Sequence, residues 1–101
     1  MVVIHAEFPI DPDRREEALD IVRTLVEATQ QEDGVIEYRA ATDVSDPNLV
    51  RFVERYEDGD AFVAHTESEH FVTFEEQLPD FLAGEPTVMR FDVESATELD
   101  L

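Results

Sequence analysis

The chain has 101 residues, enough for one domain, and its 26 acidic residues against seven arginines and no lysine give a formal net charge of −19. The absence of cysteine excludes disulfides and thiolate sites, and the absence of a basic patch excludes nucleic acid as a partner. No apolar run approaches the roughly 20 residues of a membrane span, and the N-terminus lacks the basic start of a signal peptide, so we expect no membrane partner and a cytoplasmic location.

Residues 2–10 alternate in polarity, which predicts a first strand. The side chains expected to pack under helices from this strand are Ile4, Ala6, Phe8 and Ile10. Asp11 followed by Pro12 predicts a helix start, because aspartate caps helices and proline is tolerated at the first helical position. The apolar stripe of this helix consists of Ala18, Ile21, Val22, Leu25 and Val26. We expect Gly34 to end the helix in the left-handed C′ position.

Two further strands are predicted over residues 35–44 and 49–57, and a turn at 45–48 joins them into a hairpin. In the second strand Phe52, Glu54 and Tyr56 fall on one face. The side chains that we expect together on the sheet face turned away from the helices are His5, Glu54, Tyr56 and Arg90.

The remaining chain predicts two short helices and a last strand. Asp58 and Ser68 are candidate N-caps. The predicted elements are helical segments over residues 60–66 and 69–78, a strand over 87–93 and an acidic tail over 95–101. The resulting βαββαβ order predicts an α+β, ferredoxin-like fold for a single domain over residues 1–101.

The histidines are the first candidates for chemistry. His65 lies among apolar residues, so it is either a general base or a core histidine bonded to a backbone carbonyl. His70 occupies the second position of a predicted helix, where it contributes to function or is a partly exposed polar residue. His5 is a lone imidazole on the first strand, for which a structural role is the simpler interpretation.

Glu54 and Tyr56 are the second candidates, two residues apart on one strand face. A partly buried carboxylate there could orient a histidine while the phenol binds an aromatic substrate. Alternatively, Glu54 pairs with Arg39 or Arg90 across strands, and Tyr56 fills the core.

A metal site is not expected from the spacing of the histidines. His65 and His70 are five residues apart, and Ser68 is expected to break the helix between them, whereas helical ligand pairs need a spacing of three or four. The chain also lacks the glycine-rich loop of flavin and nicotinamide sites. We therefore predict no metal and no cofactor.

Three short motifs carry a resemblance to a known family. They are Glu-x-Tyr at 54–56, Ala-x-x-x-His at 61–65 and Ser-x-His-Phe at 68–71, with support from residues 34–38 and from Asp46-Pro47. This pattern resembles the antibiotic-biosynthesis monooxygenase (ABM) domain family, which includes small quinol monooxygenases. The resemblance extends over most of the chain.

The resemblance implies a dimeric α+β barrel, in which two copies pair their sheets, and a cofactor-independent monooxygenase acting on a small electron-rich aromatic such as a hydroquinone. It implies His65 as the base and Glu54 as the group that orients it. The implied substrate contacts are Tyr56, His70, Phe71, Phe74 and His5. Haem-degrading relatives use an asparagine on the first strand and a tryptophan, which this chain lacks, so that branch is not indicated.

Two other functions fit the same pattern: a non-catalytic small-molecule-binding or stress-associated dimer, and an isomerase that uses the same histidine base. The acidic, lysine-free composition further resembles that of proteins from salt-in halophiles. At molar salt the screening length falls to about 3 Å, and charge repulsion becomes short-ranged.

Overall fold

A computed structural model describes residues 1–101. Its elements in chain order are β1 (Val2–Pro9), α1 (Arg15–Thr29), β2 (Val35–Asp43), β3 (Asp46–Tyr56), α2 (Gly59–Thr66), α3 (Glu69–Gln77) and β4 (Thr87–Asp92), with 3₁₀ turns at Pro12–Arg14 and Leu78–Asp80. The strands form one antiparallel sheet in the order β2-β3-β1-β4. This confirms the predicted α+β, ferredoxin-like fold. None of the helices combines the length and the apolar composition that crossing a membrane requires.

The start of α1 is as predicted, but its end is not. The Asp11 carboxylate accepts the backbone N–H of Asp13 at 2.9 Å and caps the 3₁₀ turn that leads into the helix. At the other end, the N–H groups of the three residues after Thr29 bond back to the last helical carbonyls. The helix therefore needs no left-handed residue at C′, and Gly34 lies farther on, at the entry to β2, with a φ of 82°.

The β2–β3 turn is tighter than the sequence indicates. β3 begins at Asp46 rather than at 49, because Asp43 and Asp46 already pair across the hairpin. The Asp43 carboxylate accepts the N–H of Ser45 at 2.9 Å and stabilises the turn between them.

The core lies between the sheet and the three helices. Its largest members on the strands and helices are Ile4, Val22, Leu25, Tyr38, Phe52, Tyr56 and Phe74, joined by Phe81 from the segment after α3. The strand face of Ile4 and Ala6 is the helix-covered face, as predicted. The alternate residues of β1 and β3 that face the helices thus supply much of the apolar packing.

The pairing register separates His5 from the residues expected beside it. Ile4 stands opposite Glu54 and Arg90, whereas His5 stands opposite Val53 and Met89. Glu54, Tyr56 and Arg90 therefore belong to the helix-covered side, and the prediction that they share a face with His5 is wrong. The physical reason is that residues paired across two strands point to the same side of the sheet. Glu54 is paired with Ile4, which belongs to the apolar, helix-covered side of β1. Arg90 lies 5.6 Å from the ring centre of Phe62 on α2.

The opposite side of the sheet, which we call the open face, has no helix over it. Its centre is apolar and consists of Val3, Val53, Met89 and Phe91, with the ring of His5 edge-on to Phe91 at 5.3 Å. Its rim carries the ion pairs Arg51–Glu7 at 2.7 Å and Arg55–Glu37 at 3.1 Å. An apolar centre with a polar rim is the arrangement typical of a protein–protein contact.

All seven arginines have a carboxylate within 4 Å, yet most of the acidic side chains have no cation. Surface ion pairs of this kind contribute little each, with a median of about 0–1 kcal/mol. Repulsion among the unpaired carboxylates therefore dominates the surface electrostatics.

We propose that the open face pairs with that of a second copy, because this sheet side would otherwise expose its apolar centre. Light scattering in about 2 M KCl should then report twice the 11.5 kDa chain mass. Met89→Arg should give a monomer, since a charge would enter the contact. The neighbouring Val88→Arg, equally exposed but on the other side of β4, should stay dimeric. A wild-type monomer would contradict the paired sheets.

Stability should depend strongly on salt. The thermal midpoint is expected to rise steeply between millimolar and molar KCl, because ions screen the repulsion among the unpaired carboxylates. The double variant Glu75→Gln/Glu76→Gln, which removes two exposed and unpaired charges from α3, should melt higher than wild type at low salt and at the same temperature in molar salt. A midpoint that does not change with KCl would argue against an adaptation to salt.

Candidate functional site

A cavity of about 80 Å³ lies between the sheet and the helices α2 and α3. Its aromatic lining consists of Phe8, Tyr38, Phe52, Phe62, Phe71 and Phe74. The carboxyl of Glu54 from the sheet and the imidazole of His65 from α2 also line it, and the remaining lining residues are Ile4, Ala6, Thr66 and Val88. The cavity thus combines apolar walls with two groups that can exchange protons, as binding sites for small molecules do.

Local capping places His65 in this cavity. The Asp58 carboxylate accepts the N–H of Ala61 at 2.9 Å and fixes the start of α2, so that His65 turns toward the sheet in the last turn of this short helix. Its side chain is only 1% exposed, and its ring lies 5.1 Å from that of Tyr38 and 4.9 Å from that of Phe71.

The two ring nitrogens of His65 have different surroundings. Nδ1 lies 2.8 Å from Oε2 of Glu32, and because a carboxylate only accepts, Nδ1 is the protonated nitrogen. Nε2 is buried and has no hydrogen-bond partner. Burial lowers the pKa of His65, and the bond to Glu32 opposes this in part. The imidazole is therefore neutral near pH 7, with the lone pair of Nε2 free.

Glu32 reaches His65 from the loop between α1 and β2. Gly34 makes this possible for two reasons. It adopts a left-handed φ of 82°, and a Cβ at this position would lie only 2.7 Å from Cβ of Ala61. The loop therefore packs directly on α2, which brings Glu32 within reach of the histidine.

His70 contacts the same carboxylate oxygen. Its Nε2 lies 2.7 Å from Oε2 of Glu32, and the nitrogen and oxygen ligand atoms of Glu32, His65 and His70 are all within 4.8 Å of one another. The five-residue spacing gave no reason to expect the two histidines at one site, yet both rings reach this oxygen. Ser68 does separate α2 from α3, with its Oγ accepting the N–H of Phe71 at 3.3 Å, but the break redirects the chain so that both rings face the loop.

Glu54 lies on the sheet side of the cavity and does not contact His65. Its Oε1 accepts the hydroxyl of Tyr56 at 2.7 Å, and it has no ion pair with Arg39 or Arg90, which bind other carboxylates. Burial raises the pKa of Glu54 to about 7, against the opposing effect of the Tyr56 hydrogen bond. Burial likewise raises the pKa of the Tyr56 phenol. The expectation that Glu54 orients His65 is wrong, because Glu32 holds that position.

The structure brings together part of the predicted set. The predicted residues that line the cavity are His65, Glu54, Phe71 and Phe74. Tyr56 and His70 do not line the cavity. Tyr56 is hydrogen-bonded to Glu54, and His70 is connected to His65 by the Glu32 carboxylate, which contacts both rings. His5 stands apart on the open face.

Two residues of the site were missed in the sequence. Tyr38 is buried beside His65 and stands opposite Glu54 in the hairpin, so the pairing register could have revealed it. Glu32 lies in an irregular loop, where hydrophobic periodicity carries no signal. The only pointer to it is its position two residues before a glycine.

The chain resembles known proteins along most of its length. The profile of the family described as "Antibiotic biosynthesis monooxygenase" matches residues 1–77. YcnE of Bacillus subtilis, which carries the provisional name of a monooxygenase, is 28% identical over 93 residues, covering 92% of this chain and 98% of its own.

Solved structures share the fold. The crystal structure of an antibiotic biosynthesis monooxygenase superposes with a TM-score of 0.87 at 28% identity, covering 94% of this chain and all of that one. The structure of Rv0793 from Mycobacterium tuberculosis superposes with a TM-score of 0.89 at 22% identity, over 96% of this chain and 98% of that one. The latter likeness speaks for the fold alone.

Burying Glu54 should make the free energy of unfolding depend on pH. A carboxyl whose pKa rises on folding binds its proton more tightly in the folded state, so stability falls as pH increases from about 4.5 to about 7. The variant Glu54→Gln has no such carboxyl, so its free energy of unfolding should not fall over this pH range. Relative to wild type it should therefore become more stable by up to about 3 kcal/mol between pH 4.5 and 7, at ~1.4 kcal/mol per pH unit. Urea titrations at several pH values measure the difference. Glu57→Gln, an exposed neighbour, should show none, and equal pH profiles for wild type and Glu54→Gln would contradict the raised pKa.

Proposed function

The chain belongs to the antibiotic biosynthesis monooxygenase family, and from this and the geometry of the cavity we propose that it is a cofactor-independent monooxygenase that oxidises a small electron-rich aromatic with O₂. The observation that supports the proposal most directly is the unpartnered Nε2 of buried His65 in an aromatic-lined cavity. A neutral imidazole with a free lone pair is the form that a general base needs.

The first step is removal of a phenolic proton. A hydroquinone bound between Phe71 and Phe74 would place a hydroxyl at Nε2 of His65, which takes the proton while Nδ1–H stays bonded to Glu32. The carboxylate of Glu32 then stabilises the imidazolium that forms. Glu32 is a positioning residue here, because it acts through His65 and does not contact the substrate.

The electrons come from the substrate itself. The phenolate that forms is electron-rich and passes an electron to O₂, and the two radicals combine at a ring carbon. The peroxide formed at that carbon takes back the proton from Nε2 of His65, which restores the neutral base. One oxygen atom then remains on the carbon and the other leaves as water together with the hydrogen of that carbon, so the hydroquinone becomes a hydroxyquinone. Loss of two hydrogens and gain of one oxygen supply the four electrons that reduce O₂, and no external reductant is needed.

The opposite wall can bind a second hydroxyl. Glu54 has one oxygen bonded to Tyr56 and a pKa near 7, so its protonated form can donate a hydrogen bond and its ionised form can accept one. At about 80 Å³ the cavity is smaller than the roughly 150 Å³ that holds a benzene ring, so a single-ring substrate is the upper limit and its entry requires the walls to move apart. Apolar walls exclude water, which strengthens both polar contacts and protects the reduced oxygen species.

An oxygen electrode tests the proposal with a series of single-ring quinols in molar KCl. We expect one O₂ consumed per quinol without hydrogen peroxide, and a rate reduced about 10²–10⁴-fold in His65→Ala, the usual effect of losing a general base. Val63→Ala, on the exposed side of the same helix, should turn over like wild type.

Other outcomes distinguish the alternative functions. Proton exchange at a substrate carbon without oxygen uptake would indicate an isomerase that uses the same base. Binding of aromatics with neither activity would indicate a non-catalytic binding protein. Wild-type turnover by His65→Ala would show that this residue is structural and would remove the proposed mechanism.

A further inference from the structure

Two imidazoles and a carboxylate converge between α2, α3 and the loop after α1. Nδ1 of His65 and Nε2 of His70 lie 2.8 Å and 2.7 Å from the same oxygen, Oε2 of Glu32, and the three ligand atoms are all within 4.8 Å of one another. The oxygen only accepts, so both nitrogens direct a hydrogen at it. A ring nitrogen binds a metal through a lone pair that points in the direction of this hydrogen. The two rings are therefore already aimed at one point.

We propose that Glu32, His65 and His70 bind a divalent transition-metal ion such as Zn²⁺, and that the bound ion switches off the base. The binding site goes beyond the proposed function, whereas its effect on turnover rests on that function. Two imidazole nitrogens and one carboxylate oxygen form a ligand set that suits Zn²⁺, and a water molecule can complete the tetrahedron. Mg²⁺ and Ca²⁺ prefer oxygen ligands, so neither is expected here. The ion acts as an inhibitor and not as a cofactor.

The three side chains need to move little to hold the ion. Ligand atoms that lie about 2.0–2.2 Å from a tetrahedral Zn²⁺ stand roughly 3.4 Å from one another. Oε2 of Glu32 therefore has to retreat by about 0.6–0.7 Å from the two nitrogens, which themselves are at most 4.8 Å apart. The side chains of Glu32 and His70 are 15% and 26% exposed and have room to adjust, whereas His65, at 1%, can stay in place.

An open groove leads from solvent to this point. His70 borders the groove, which has a volume of about 480 Å³ and lies between α1 and α3, so it can deliver the ion and its water ligand. Two carboxylates line the groove. Asp20 pairs with Arg23 at 2.7 Å, whereas Glu69 has no ion pair. The negative charge of Glu69 and the net charge of −19 attract a cation to this entrance.

The ion would occupy the nitrogen of His65 that carries the hydrogen in the metal-free protein. A neutral imidazole holds one hydrogen, so a ring that binds metal through Nδ1 carries its hydrogen on Nε2. The His65 ring then loses one proton at Nδ1 and gains one at Nε2, and the His70 ring exchanges its Nε2 hydrogen for one on Nδ1, so neither ring changes charge. Nε2–H of His65 is a donor and cannot take a phenolic proton. Metal binding and proton acceptance at His65 therefore exclude each other.

Zinc titration tests the binding site. Calorimetry in molar KCl should show one Zn²⁺ per chain. His70→Ala and Glu32→Gln should each weaken binding at least about 100-fold, because loss of a residue that merely orients a ligand already costs about 10–100-fold. His5→Ala removes the one histidine outside the site and should bind Zn²⁺ like the wild type. Absent binding, or binding that is equally tight in His70→Ala and wild type, would overturn the proposal.

Nitrogen-15 NMR of the wild type tests the switch without substrate. Nδ1 of His65 should carry the hydrogen in the metal-free protein, and one equivalent of Zn²⁺ should move it to Nε2. A His65 ring that keeps its hydrogen on Nδ1 in the zinc-loaded protein would overturn the proposal. Because neither this measurement nor the titration requires turnover, both decide the metal site even if no quinol is oxidised. Failure of the metal site would in turn leave the monooxygenase intact.

Kinetics test the effect on turnover. One equivalent of Zn²⁺ should lower kcat about 10²–10⁴-fold, as loss of a general base does, and a chelator should restore it. Each variant is compared with its own zinc-free rate. By this ratio His70→Ala and Glu32→Gln should be insensitive to the same Zn²⁺ concentration, whereas His5→Ala should be inhibited like the wild type. Turnover that Zn²⁺ bound at these residues leaves unchanged or accelerates would overturn the switch.

Discussion

A single carboxylate oxygen, Oε2 of Glu32, connects the three chain segments that surround His65. It accepts from His65 on α2 and from His70 on α3, while Glu32 itself belongs to the loop after α1. Displacing any of these segments would leave a buried polar group without its partner, at a cost of about 1–3 kcal/mol. The contact therefore fixes the orientation of the His65 ring and, with it, the direction in which Nε2 points.

Gly34 is the backbone constraint that allows this contact. A side chain there would have to adopt a left-handed conformation and would also overlap Ala61 on α2. Larger residues would push the loop away from the helix, and Glu32 would lose its reach to His65 even though it is not itself changed. The position of the His65 imidazole thus depends on a residue that carries no functional group.

The sequence predicted the elements of the fold well, because α1 and β1 have clear periodicity and Asp11, Asp58 and Ser68 are effective caps. It did not predict which faces of β1 and β3 coincide, since alternation within one strand does not fix the register with its neighbour. In the observed register Glu54 lies on the helix-covered side of the sheet and His5 lies on the open face. The partner of His65 was missed for a different reason: Glu32 acts from an irregular loop, where only three-dimensional packing determines what lies nearby.

Burial shifts the pKa values of His65 and Glu54, the imidazole and the carboxyl of the cavity, in opposite directions, because in each case it favours the neutral form. It favours the neutral imidazole at His65 and raises the pKa of Glu54 to about 7, so that near neutral pH the histidine is uncharged and a large fraction of Glu54 is protonated. Under the proposed mechanism a neutral phenol enters such a site more readily than its anion, and the anion forms when Nε2 of His65 takes the proton. The charge that then develops on His65 is balanced by Glu32 on the helix side, whereas on the sheet side the Tyr56 hydroxyl is already bonded to Glu54. Under the proposed mechanism the proton is therefore taken up on the helix side of the cavity, while Glu54 on the sheet side binds and orients the ring.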